Sequence, residues 1–94
     1  MSELTLTVVT PDRSYGPLRC DSVHLTVCDN EKGRGGGSCG IRPGHIEALF
    51  ALEPGALTAS RDGQKLLTAR CGAGFATVSR NRVTVITDDY SENE

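Results

Sequence analysis

The sequence of 94 residues predicts an all-β domain, a small sandwich or flattened barrel of short strands. Three observations carry that reading. Turn signals recur about every 8–12 residues, the spacing of small sandwiches and barrels. The runs between them alternate apolar and polar, and no stretch of about ten residues or more carries the helical period. Two tetrapeptides, Arg61-Asp62-Gly63-Gln64 and Ser79-Arg80-Asn81-Arg82, join β-prone runs as hairpins.

The elements follow in chain order. Leu4 to Thr10 alternates, with Leu4, Leu6 and Val8 on one face, and reads as a strand. Pro11-Asp12-Arg13 turns the chain, and Ser14 to Arg19 returns as a second strand. Ser22 to Cys28 places Val23, Leu25 and Val27 inward and His24 and Thr26 outward. Asp29 to Gly40 is polar and holds five of the eleven glycines, so it is expected to be a mobile loop. Arg42-Pro43-Gly44-His45 is a tight turn, because Pro presets φ and Gly accepts φ > 0. Ile46 to Leu52 forms a helical turn or a short strand, and Glu53-Pro54-Gly55 is expected to end it. Ala56 to Ser60 and Lys65 to Cys71 flank the Asp-Gly turn; Phe75 to Val78 and Val83 to Thr87 flank the second hairpin. These give one domain over residues 1–88, with 89–94 expected to be an acidic disordered tail without an aliphatic residue.

Composition bounds the function. Leu, Ile, Val and Phe make 21 of the 94 residues, enough for one modest core and little more. The longest apolar run is Ala48-Leu49-Phe50-Ala51-Leu52, far short of a bilayer span. A net charge of −2 exerts no global pull on nucleic acid or anionic lipid, so neither nucleic-acid binding nor direct membrane insertion is expected. The N-terminus lacks the basic stretch of a signal peptide, which points to a soluble, cytosolic domain.

No chemistry-bearing constellation emerges. Cys20, Cys28, Cys39 and Cys71 include no C-x-x-C pair, and His24 and His45 stand singly, so the thiols read as small hydrophobes and no metal or cofactor is expected. Gly36-Gly37-Ser38-Cys39-Gly40 matches G-x-S-x-G, but Pro43-Gly44 follows where a nucleophile elbow needs a helix. The run from Lys32 to Ser38 lacks the Gly-Lys-Ser/Thr ending of a phosphate loop. The residues alone stop at a β domain without catalytic machinery.

Several segments together resemble a known family. Leu4 to Arg13 is similar to its first strand and Thr-Pro-Glu/Asp-Arg turn. Asp21-Ser22-Val23-His24-Leu25 and Gly40-Ile41-Arg42-Pro43-Gly44-His45 resemble its V-x-x-V-x-L and G-I-L-P-G-H core. Leu52-Glu53-Pro54-Gly55-Ala56-Leu57, Ala73 to Val78 and Asn81 to Asp88 resemble L-x-P-G-x-L, G-G-F-x-E-V and N-x-V-T-V-L-A-D. Collinear from about residue 3 to 88, they match the N-terminal domain of the F-type ATP synthase epsilon subunit.

The resemblance implies a ten-stranded sandwich of two five-stranded sheets at the foot of the rotor. It implies a non-catalytic accessory subunit that binds the gamma subunit with one face and the c-ring with its lower end, and helps couple ion flow to ATP synthesis or hydrolysis. The implied location is peripheral, on the cytoplasmic face of the inner membrane through the complex. Arg42, Gly44 and His45 inherit the c-ring-facing role, with Ser38 where an acidic residue is common. The C-terminal helical hairpin that usually follows has no counterpart before Glu94, so its inhibitory and ATP-binding roles are not carried over. Arg42 in the Pro-Gly-His turn is similar to the alternate F-type branch. A stand-alone adaptor or regulator, or a small Cys-based metal-binding protein, are the competing readings.

Overall fold

The computed structural model describes residues 3–29, 34–44 and 47–93, and these form nine strands and no helix. In chain order they are β1 (Leu4–Val9), β2 (Ser14–Cys20), β3 (Ser22–Asp29), β4 (Arg34–Ile41) and β5 (Ala48–Arg61). β6 (Gln64–Cys71), β7 (Gly74–Ser79), β8 (Arg82–Thr87) and β9 (Tyr90–Asn93) complete them. All ladders are antiparallel except β1 against β8, which run parallel from Thr5 opposite Arg82 to Val9 opposite Ile86.

β5 explains how nine strands make two five-stranded sheets. Its first part, Ala48 to Leu52, pairs with β7 and completes the order β2-β1-β8-β7-β5. Its second part, from Gly55 onward, pairs with β6 on one side and β3 on the other, giving β4-β3-β5-β6-β9. The alternating residues of both sheets meet in one core, with Leu4, Leu6, Val83 and Val85 from the first facing Val23, Ile41, Leu57 and Ala69 from the second. Each of these is 0–2% exposed, and with Leu25 also buried the inward faces read for β1 and for Val23 and Leu25 of β3 hold; the side chain of Val27 lies outside the described residues.

Glu53-Pro54-Gly55 was expected to end its element, and instead it is the corner inside β5. The ladder to β7 ends at Leu52 and that to β6 starts at Gly55. Pro54 therefore sits where no ladder N–H is required. Gly55 is demanded by packing, because a Cβ there would run into the Thr26 side chain.

Two further expectations are corrected. The glycine-rich segment Asp29 to Gly40 is not a loop throughout, since Arg34–Ile41 is strand β4, paired with β3 from Asp29–Arg34 to Val23–Ile41. Glycine tolerates extended backbone, and the ladder supplies the hydrogen bonds that side chains do not. Gly40 also makes room for a neighbour: its Cβ would lie 3.1 Å from His24 Nε2. The acidic end does not fray over its whole length, since Tyr90–Asn93 is β9, paired with β6. Tyr90, opposite Cys71, packs against the core and meets the Tyr15 ring at 4.5 Å between centroids. Thr87 Oγ1 lies 3.1 Å from the Ala73 carbonyl and accepts the Asp89 N–H, while the Gly72 N–H donates to the Asp89 carbonyl at 2.8 Å. Those bonds aim the chain back onto the sheet.

Candidate functional site

Both hairpins place charge at one end of the sandwich. Asp62 and Gly63, with φ 52° and 78°, turn β5 into β6; Arg80 and Asn81, with φ 52° and 63°, turn β7 into β8. Two consecutive left-handed residues make the tight hairpin turn whose twist matches the strands. The Pro43-Gly44 turn lies beside the second hairpin, for the Gly44 N–H donates to Asn81 Oδ1 at 2.8 Å. The Thr5 N–H donates to the Asn81 carbonyl at 2.9 Å, so Asn81 joins three segments.

Arg42 is exposed and lines a cleft of about 420 Å³ with Asp21, Ser22, Pro43, Ser60 and Gly63. Asp21 Oδ2 accepts the Asp62 N–H at 3.0 Å, which fixes one wall of that cleft. Gly44 is exposed with φ 85° and open space where a Cβ would stand. Of the four predicted site residues, the structure therefore brings Arg42 and Gly44 to the same end. Ser38 lies earlier on β4, opposite Thr26, and is described by its backbone alone. His45 lies outside the described residues. The strand through Ser38 is extended, without the strand-to-helix turn that a nucleophile elbow requires.

Sequence reasoning missed a second surface. On the outer face of the β2-β1-β8-β7-β5 sheet, Leu49, Phe75 and Ile86 are 66%, 53% and 48% exposed. Phe75 stands opposite Ile86 on one side and Ala51 on the other, and Val9 stands opposite Ile86 across the parallel ladder. Apolar residues of four adjacent strands thus neighbour one another on this face, rather than standing scattered singly. The signal was in the alternation: once Val83 and Val85 face inward, Ile86 must face out. Toward the Pro-Gly end the same face turns polar, with Thr77, Ser79, Arg80, Arg82 and Thr84 lining a cleft of about 350 Å³.

Among the described side chains are two thiols. Cys20 and Cys71 are buried and free. Burial, with the Asp89 carboxylate adding to it, pushes the Cys71 thiol up to about 11. Burial also raises Cys20, against a hydrogen bond from the Ser22 backbone that lowers it. At neutral pH both are protonated packing groups. Among the described residues, no three or more His, Cys, Asp or Glu side chains gather as metal ligands, and no helix is long and apolar enough to cross a membrane.

Residues 3–93 match the family model of the ATP synthase, Delta/Epsilon chain, beta-sandwich domain. The chain is 40% identical over 85 residues to the ATP synthase epsilon chain of an Anaeromyxobacter species, covering 90% of this chain and 58% of that protein. It is 33% identical over 88 residues to the ATP synthase epsilon chain of Myxococcus xanthus, covering 94% and 59%. The chain thus spans about three-fifths of the length of these relatives. Its fold is similar to that of a chain in the Euglena gracilis mitochondrial ATP synthase, with a TM-score of 0.78 at 23% identity over 98% of this chain and 54% of that one. A chain in the central stalk and c-ring structure of the Tetrahymena thermophila mitochondrial ATP synthase has a TM-score of 0.66 at 19% identity, over 94% and 65%.

Proposed function

The chain belongs to the ATP synthase delta/epsilon beta-sandwich family, and on that premise we propose that it is a rotor accessory subunit of an F-type ATP synthase. It binds the gamma subunit and the c-ring and helps couple ion flow to ATP synthesis or hydrolysis, without forming or breaking bonds itself. It is held at the cytoplasmic face of the inner membrane through the complex, as a peripheral subunit. The observation that carries this reading is the patch of Leu49, Phe75 and Ile86 on the outer sheet face. Large apolar side chains left half-exposed on three adjacent strands are unfavourable in water and favourable under a partner. We assign that face to the gamma subunit.

The Arg42-Pro43-Gly44 end is assigned to the polar loops of the c-ring, with His45 and Ser38 as further candidates. Gly44, locked to Asn81, sets the path of the turn, and exposed Arg42 offers five guanidinium donors to carbonyl or carboxylate oxygens. Rim contacts of this kind are worth on the order of 1 kcal/mol each and mostly set orientation. Arg42→Ala combined with His45→Ala, in the reassembled complex, should leave folding and gamma binding intact and weaken the coupling of proton or Na⁺ flow to ATP hydrolysis. Coupling equal to wild type would overturn the c-ring assignment. Failure of the unaltered chain to bind the gamma subunit would overturn the rotor reading itself.

A further inference from the structure

We propose that Arg80 and Arg82 form an oxyanion seat that takes a carboxylate side chain of the subunit covering the apolar sheet face, and that this seat sets the register of docking. The inference rests on the gamma-subunit assignment above and adds to it a specific chemical requirement on the partner. Its residues lie at the lower edge of the same face. Ser79 and Arg82 are paired across β7 and β8, as are Thr77 and Thr84, and Thr5 and Thr7 extend the row from β1. Above them on the same strands stand Phe75 and Ile86. One face therefore has an apolar half and a half bearing hydroxyls and two cations.

The charges decide the kind of occupant. Arg61 and Arg19 elsewhere at this end reach the Glu3 carboxylate, at 2.8 Å and 3.9 Å. Arg80 and Arg82 line one cleft and pair with no carboxylate among the described residues. Glu47 accepts the hydroxyl of Ser79, a residue of that cleft, at 3.1 Å. Two guanidinium groups sharing a cleft repel each other, and an anion between them removes that repulsion and gains charge-assisted hydrogen bonds. Their planar forks suit the two oxygens of a carboxylate, and the hydroxyls of Thr77 and Thr84 can donate alongside them.

The seat is also held in place. Arg80 itself occupies the left-handed turn position, and Asn81 beside it is bonded to both Gly44 and Thr5. The backbone of the tip carrying the two cations is therefore fixed between the Pro-Gly turn and the start of β1. Because the cleft is continuous with the apolar patch, a partner seated on Phe75 and Ile86 brings its own side chains over it. An Asp or Glu on that partner is the group the cleft fits.

The test uses the purified gamma subunit of the same complex, titrated with the chain by calorimetry at about 50 to 500 mM NaCl, a range over which exposed ion pairs are progressively screened. Arg80→Gln with Arg82→Gln should weaken binding about tenfold at low salt and flatten the salt dependence, as expected for loss of interfacial charge pairs. Its melting temperature should match wild type. An Asp or Glu scan of the gamma subunit should reveal one position whose change to Lys restores binding to Arg80→Glu with Arg82→Glu. Wild-type affinity and salt dependence in the double Gln variant would overturn the seat while leaving the gamma assignment standing. Tight binding of inorganic phosphate at these arginines, with gamma affinity unaffected by their loss, would overturn it in favour of a free-anion site. No binding by the unaltered chain would overturn both.

Discussion

At the scale of single residues, glycines with the same side chain are required for different physical reasons, and the difference is measurable. Gly74 faces the Ile86 carbonyl so closely that a Cβ would collide with backbone across the β7–β8 ladder. Gly63 has nothing within 4 Å of its Cβ position and is required only by its φ of 78°. Gly63→Ala should therefore cost about 1–2 kcal/mol, the penalty of left-handed backbone. Gly74→Ala should cost more, about 3 kcal/mol or above, because two strands must separate to relieve it. Urea unfolding of the two variants checks the order. Cys71 gives a pH dependence whose sign follows from its burial. The folded thiol titrates near 11 while the unfolded one releases its proton near 9, so the stabilisation is complete below pH about 9 and is lost as pH rises through about 11. Tyr90, raised by burial and by its hydrogen bond to Glu92, acts in the same direction at higher pH. Melting curves from pH 8 to about 11 should fall for the wild type and fall less for Cys71→Ala.

At the scale of elements, β9 is the strand whose contribution is easiest to isolate. It covers the β6 edge, brings Tyr90 against Tyr15, and closes one side of a groove of about 290 Å³ between the sheets. Ending the chain after Asp89 should remove about 3 kcal/mol, a drop on the order of 10–20 °C in melting temperature. A change of only a degree or two would show that Tyr90 adds little to the core. β4 calls for a similar comparison. Removing Arg34 to Gly37 deletes the pairings of Asp29 with Arg34 and Val27 with Gly37 but leaves Ile41 in the core. Its cost should be smaller than that of the β9 truncation, about 1–2 kcal/mol, since few apolar atoms go with it. Differential scanning fluorimetry ranks the two.

At the scale of the whole molecule, the core and the face proposed for the gamma subunit lie on opposite sides of the same strands. β7 and β8 give Ala76, Val78, Val83 and Val85 to the core and Phe75 and Ile86 to the outside. Phe75→Asp should leave folding stability within about 0.5 kcal/mol, as for surface substitutions away from special features. The same change should abolish co-elution with the gamma subunit on gel filtration, because it buries an unpaired charge in the centre of the contact. Retained co-elution would place the gamma contact elsewhere. Because of this separation, the outer face can change without loosening the body that carries it.

Local sequence determined the strands that stand on their own alternation and the turns whose chemistry is unambiguous. Leu4-Leu6-Val8 and Val23-Leu25 declare a buried face, and Asp62-Gly63 declares a hairpin, because each depends only on neighbours in the chain. The Pro-Gly turn with Arg42 was legible for the same reason, and the family resemblance came from the order of such segments. What only the tertiary structure decided depends on a distant partner. β4 is a strand because β3 offers it a ladder, β9 because Tyr90 finds Tyr15 and the β6 edge, and Pro54 is a corner because two sheets meet there. The apolar face belongs with these, whereas the Arg80–Arg82 cleft lies within one local hairpin. The face spans β1, β8, β7 and β5, and no local pattern encodes which strands become neighbours.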